Sequence, residues 1–295
     1  MTGGLVPVYR SRSSPLHAAR AGATAGLCAS LALVCGLYEH PLVLAAVVAA
    51  VVGAGLAAGV GREIARAARL AVPLALLVTV INPLVYAEGQ TLLVRGGTLL
   101  GHRFDITLEA LGAGALAGLR VGAFTMVFGL ASACVDPDEL LRLFRRVSYR
   151  SALTASLATR LVPVLARDAM RMGDAARCRA EPPGRLAVTR AAVSGALDRA
   201  VDVAAALEVR GYSAGGRPER DRRPWSRHDL RAGAGAVLVL VAAVAGRIAG
   251  AGTVTAYPAL EVGLGPADLG LAACVLIAAA LPFAGRAARL GVARA

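Results

Sequence analysis

Asp174-Ala175-Ala176-Arg177-Cys178-Arg179-Ala180 and Ala206-Leu207-Glu208-Val209-Arg210-Gly211-Tyr212 each bring a helix-length pattern to a stop at an arginine. The first precedes Pro182 and Pro183, which cannot continue a helix, and the second ends on Gly211, which supplies the left-handed backbone that closes one. Upstream of the first stop, residues 152–179 carry Leu153, Leu157, Leu161, Leu165, Ala169, Met172 and Ala176 at helical spacing. Arg160, Arg167, Arg171 and Asp174 fall on another face. Such a helix is roughly 40 Å long, with a bend expected at Pro163. Residues 186–210 form a second helix, with an apolar stripe of Val193, Leu197, Val201, Ala204 and Leu207 and enough alanine for close crossing. A shorter helix opens before both at Asp136-Pro137-Asp138-Glu139, where an N-cap aspartate, a first-turn proline and first-turn acids coincide; it is expected to reach about Val147.

On both sides of this central region, apolar runs of about 17 to 25 residues recur, the length that spans a bilayer core. The chain of 295 residues is 57% hydrophobic, with a mean hydropathy of +0.62, and reads as an all-α polytopic membrane protein. Six spans are predicted, at residues 21–38, 41–60, 70–86, 106–135, 232–249 and 267–284. A second apolar run follows the first after a two-residue break, which favours a helical hairpin over a cleaved leader. The fourth run is too long for one upright span, so it either tilts or begins with a surface turn around Glu109. Gly89, Gly96, Gly97 and Gly101 separate short β-branched or leucine pieces and predict a hairpin-like external loop. Three regions result: residues 1–135 with about four spans, 136–230 with the long cytoplasmic helices, and 231–295 with about two spans.

Nineteen arginines fall between residues 136 and 231, while the external loops hold few, chiefly Arg95 and Arg103. The positive-inside bias therefore places the central region and both termini in the cytoplasm. A net charge of +13 and a pI near 10.8 fit anionic lipid headgroups better than nucleic acid, because the arginines border apolar runs. Arg62, Arg66 and Arg69 mark a cytoplasmic loop, or one short amphipathic turn, before the third span. Asn82 and Pro83 read as its structural end, where proline kinks or stops the helix. Arg120 lies within the fourth span, where a charge costs roughly 2.5 to 3.5 kcal/mol. It needs a polar contact inside the bundle or on a partner protein.

All 32 basic residues are arginine. Without lysine there is no phosphate-binding P-loop and no Schiff-base chemistry, so ATP-driven work must be powered by another subunit. Cys28, Cys35, Cys134, Cys178 and Cys274 form no paired motif and read mostly as small packing residues. His17, His40, His102 and His228 are scattered without metal-ligand spacing, so neither a metal site nor a cofactor is expected. Pairs such as Gly112-Gly114 and Gly118-Gly122 carry little weight in a chain with 34 glycines.

With Asn82-Pro83, Ile106-Thr107-Leu108-Glu109, Gly118-Leu119-Arg120, the Asp-Pro-x-Glu-Leu start at 136–140, Arg160-Leu161-Val162-Pro163 and the two arginine stops, the sequence resembles the T component of energy-coupling factor transporters. The paired Ala-Arg-Gly type motifs are the most specific part. In the second, Glu208-Val209-Arg210-Gly211-Tyr212 departs only in Val209; in the first, Cys178-Arg179-Ala180 stands where the family has Ala-Arg-Gly. The resemblance implies a non-catalytic coupling subunit of an importer for a vitamin or transition-metal ion in a bacterial cytoplasmic membrane. Its two helix ends would dock into two ABC ATPase subunits, the A components, while its spans hold a separate substrate-binding membrane protein, the S component. Two other classes stand beside this one: a membrane-embedded transferase acting on a phosphorylated lipid, which would need clustered acids for metal, and a membrane scaffold without transport. The acids here are isolated, or explained by a helix start as at Asp136, Asp138 and Glu139.

Overall fold

The computed structural model describes residues 9, 12–85, 92–94, 98–99, 102–103, 106–144, 149–181, 183–211, 224–252, 254–255, 261–263 and 265–284. Pro182, Tyr212, the loop glycines at 89, 96, 97 and 101, Arg95, and Arg286, Arg289 and Arg294 near the C-terminal end lie outside them. In chain order the elements are α1 (Pro15–Ala18), α2 (Ala21–Leu37), α3 (Pro41–Ala57), α4 (Gly61–Val85), β1 (Leu92–Val94), β2 (Thr98–Leu99), β3 (His102–Arg103) and β4 (Ile106–Thr107). There follow α5 (Leu108–Cys134), α6 (Pro137–Phe144), α7 (Tyr149–Arg177), α8 (Arg185–Val209), α9 (Arg227–Ile248), β5 (Val254–Thr255), β6 (Glu261–Val262), α10 (Pro266–Ala280) and a closing 3-10 turn, Leu281–Phe283. Two compact units emerge, one of residues Met1–Pro137 with Pro224–Ala295, the other of Asp138–Arg223.

The first unit is a polytopic membrane bundle. α4, α5, α9 and α10 with its 3-10 turn are long and apolar enough to cross a bilayer; α2 and α3 are apolar but only 17 residues each. At about 25 Å these two sit at the short end of spanning length. α2 packs between α5 and α9, α3 between α5 and α10, and α4 lies along α5. Val34, Cys35, Tyr38, Val43, Val47, Val51, Val127, Val239 and Val275 fill the core. The Gly118-Gly122 pair proves to be where α5 meets α4: a Cβ on Gly118 would stand 2.6 Å from the Ala75 carbonyl oxygen, and one on Gly122 would touch the Ala75 methyl at 3.6 Å. Without a hydrophobic drive between helices in lipid, such close backbone approach is what holds the pair.

Helix starts are tied down by buried acids. Asp229 completes a capping box with Ser226 and also accepts the Arg20 amide at 2.6 Å, joining the start of α9 to that of α2. Asp268 accepts the amides of Gly252 (2.7 Å) and Gly265 (3.0 Å) at the start of α10. His40 caps α3, its Nδ1 accepting from the Leu42 amide, so the proton on Nε2 donates to the Gly263 carbonyl at 3.1 Å.

Two nested antiparallel pairs, β2 with β3 inside β1 with β4, lie in the stretch where the sequence predicts a hairpin. A further hairpin, β5 with β6, was not anticipated. Two helix starts move outward. The Arg62-Arg66-Arg69 segment is more than a loop or a single amphipathic turn: it forms the first turns of α4, and α9 begins at Arg227, five residues before its apolar run. Backbone hydrogen bonds propagate regardless of side-chain charge, and arginine stems cover the interface while their heads stay in water. Nor is there a surface turn at Glu109: Thr107 caps α5, its hydroxyl accepting the Ala110 amide at 3.2 Å, and Glu109 sits in the first turn only 5% exposed. At Pro83 the helix continues two residues further, to Val85, before it ends.

Candidate functional site

The second unit holds both arginine stops. α7 and α8 run antiparallel, since Asp168 meets Arg199 at 2.6 Å while the Met172 methyl lies where a Cβ on Gly195 would touch it, four residues forward on one helix and four back on the other. Arg171 adds a second, longer contact to Asp168, at 3.8 Å. These contacts fix the helices at one crossing. From it α7 runs on about 14 Å to Arg179 and α8 about 20 Å to Arg210, on separate arms directed apart. α7 passes through Pro163 without a break, and Arg160 and Pro163 are both exposed.

The two ends differ as their sequences do. At the α8 end Arg210 is the C-cap residue, Gly211 follows at φ +75°, and its amide returns to the Glu208 carbonyl at 2.9 Å. Glu208, Val209, Arg210 and Gly211 are all exposed, Val209 at 89%. An arginine here is favoured by the helix dipole and carries a planar donor fork for a carboxylate or carbonyl cluster. At the α7 end the helix stops at Arg177, so Arg179 stands beyond the last turn, in the bend after Cys178. It is Arg177 that occupies the last turn, paired with Asp174 at 3.3 Å. Cys178, Arg179 and Ala180 are exposed, and neither Arg179 nor Arg210 has an ion pair among the described residues.

The apolar stripe of α8 does not pack on α7. Val193, Leu197 and Val201 are 59%, 63% and 68% exposed, whereas the α7 stripe at Leu157, Leu161, Leu165 and Met172 is half-buried. Outside this unit, Arg120 finds polar contacts within the chain: Nε donates to the Cys35 carbonyl at 2.8 Å, Nη2 to the Gly36 carbonyl, and Nη1 pairs with Glu39 at 2.9 Å. It caps the carbonyls left open at the end of α2. Asn82 and Pro83 lie in the last turn of α4, away from both arginine ends in the chain. No three His, Cys, Asp or Glu side chains gather into a metal-holding group among the described residues.

Sequence reading missed Asp168, whose only local signal was Arg171 one turn on, and Glu39, which lies 81 residues from Arg120. A family model described as CbiQ, cobalt transport protein, matches residues 12–221. No curated protein matches the chain.

Proposed function

The chain belongs to the CbiQ cobalt transport protein family, the transmembrane component of cobalt and energy-coupling factor transport systems, and we propose that it couples two cytoplasmic ABC ATPase subunits to a membrane S component. In this reading Arg179 with Cys178 and Ala180 enters a groove on one ATPase, and Arg210 with Glu208, Val209 and Gly211 enters the other. The observation that carries it is the pair of exposed arginine ends on antiparallel arms joined at one crossing. When the ATPases close on ATP, two gripped ends on a cross-braced hairpin must move together, and force applied outside the membrane is delivered through the hairpin. The exposed Val193, Leu197 and Val201 stripe supports an apolar membrane partner, the S component, on α8.

The chain itself is the non-catalytic subunit, since it has no lysine for a P-loop. The cargo class is a transition-metal ion or vitamin, cobalt being the one in the family's description. The setting in this reading is the bacterial cytoplasmic membrane, and the arginine distribution supports both termini and residues 136–230 on the cytoplasmic side. Affinity purification of the tagged chain, co-expressed with candidate ATPases and an S component, tests the reading. Recovery of two ATPases with ATP hydrolysis supports it; hydrolysis by the chain alone, or no ATPase recovered, refutes it.

A further inference from the structure

We propose that the first half of α4 is a binding site for one anionic phospholipid of the cytoplasmic leaflet. Arg62, Arg66 and Arg69 recur at i, i+4 and i+7, so at about 100° per residue they share one face of the helix. Pro73, Leu76 and Val80 continue the same line, and all three are exposed. The opposite face carries Ile64, Ala67 and Ala71, all buried in the core. One side of α4 is thus committed to the bundle, and the other presents three guanidinium groups followed directly by bare hydrocarbon.

Two features point to an anion as the occupant. None of the three arginines has an ion pair among the described residues, and Glu63, the acid in their midst, is already held by Arg12 at 3.0 Å. They also crowd the first turns of the helix, the positive end of its dipole, where cations are disfavoured and an added negative charge is stabilising. The length argues for a lipid over a free phosphate. From Arg69 to Val80 is about 17 Å along the helix axis, close to the roughly 15 Å of one leaflet's hydrocarbon. A phosphate among the arginines would lay an acyl chain along Pro73, Leu76 and Val80.

Native mass spectrometry of the detergent-purified full chain, titrated with dioleoyl phosphatidylglycerol or dioleoyl phosphatidylcholine, reads the site. The wild type should prefer phosphatidylglycerol. Each Arg→Gln change at 62, 66 or 69 should weaken that preference about fivefold, and the triple variant about a hundredfold, while Arg167→Gln with Arg190→Gln leaves it intact. Leu76→Ser with Val80→Ser should also weaken phosphatidylglycerol, and millimolar inorganic phosphate should not displace it. If the triple variant fails to fold, the single variants carry the comparison. Equal binding of the two lipids by the wild type, an unchanged preference in the Gln variants, or displacement by free phosphate overturns the proposal. So does loss of the bound lipid when the S component is added, which would assign this face to a protein.

Discussion

Arg210→Ala removes an exposed side chain that has no ion pair among the described residues and that the coupling account places in an ATPase groove. Its backbone amide still bonds to the Ala206 carbonyl, and Gly211 still closes the helix, so the fold loses only the favourable charge at a helix end, about 0.3 to 1 kcal/mol. In a partner groove the same truncation leaves buried acceptors unpaired, at about 2 to 5 kcal/mol. That converts to roughly thirtyfold to a few thousandfold in affinity for the ATPases. The assay has two arms, melting temperature of the chain alone in detergent and equilibrium binding of the purified ATPases to it. Arg210→Ala should leave the first nearly unmoved and collapse the second, and uptake should fall with it. Arg179→Ala should do the same less strongly, because Arg179 stands beyond its helix end with Ala180 where a glycine would sharpen the turn. Arg190→Ala, on an exposed face of α8, is the control, with an effect under about 1 kcal/mol. Wild-type affinity in Arg210→Ala would refute the docking argument.

Gly118→Val should force α4 from α5 at the Ala75 carbonyl, destabilising the bundle by about 1 to 3 kcal/mol, visible as a lower melting temperature. Arg120→Ala should leave the Cys35 and Gly36 carbonyls and Glu39 without their donor, costing about 1 to 3 kcal/mol of stability while affinity for the ATPases in folded material stays unchanged. For topology, Glu181→Cys should react with a membrane-impermeant maleimide only after the membrane is opened, whereas Gly97→Cys should react in intact cells; labelling of the former from outside would invert the arrangement.

What the sequence made legible was local. Span positions follow from hydropathy over one helix length, and the ends of α7 and α8 fall within two residues of the arginine stops because prolines and Gly211 act on their own neighbours. The closure of α8 by a left-handed glycine was readable for the same reason. Arg120 was identifiable as needing a partner, but Glu39 was not identifiable as that partner, since only the packing of α2 on α5 brings them together. The Asp168 to Arg199 lock was hidden likewise. The spacing of Arg62, Arg66 and Arg69 allows an amphipathic turn but does not show that it is continuous with the span, because a helix carries charge readily at an interface. The α8 stripe was readable as apolar, while its exposure on this chain depends on where α7 crosses.

The central claim is that the two arms grip two different ATPase molecules. Photo-crosslinking from single reporters at positions 178 and 209, both exposed beside their arginines, tests it in the assembled transporter. The account predicts one ATPase adduct from each position and, from a chain carrying both reporters, a species with two ATPases attached. Adducts from either position to lipid or to the S component alone, or never more than one ATPase per doubly labelled chain, would contradict it.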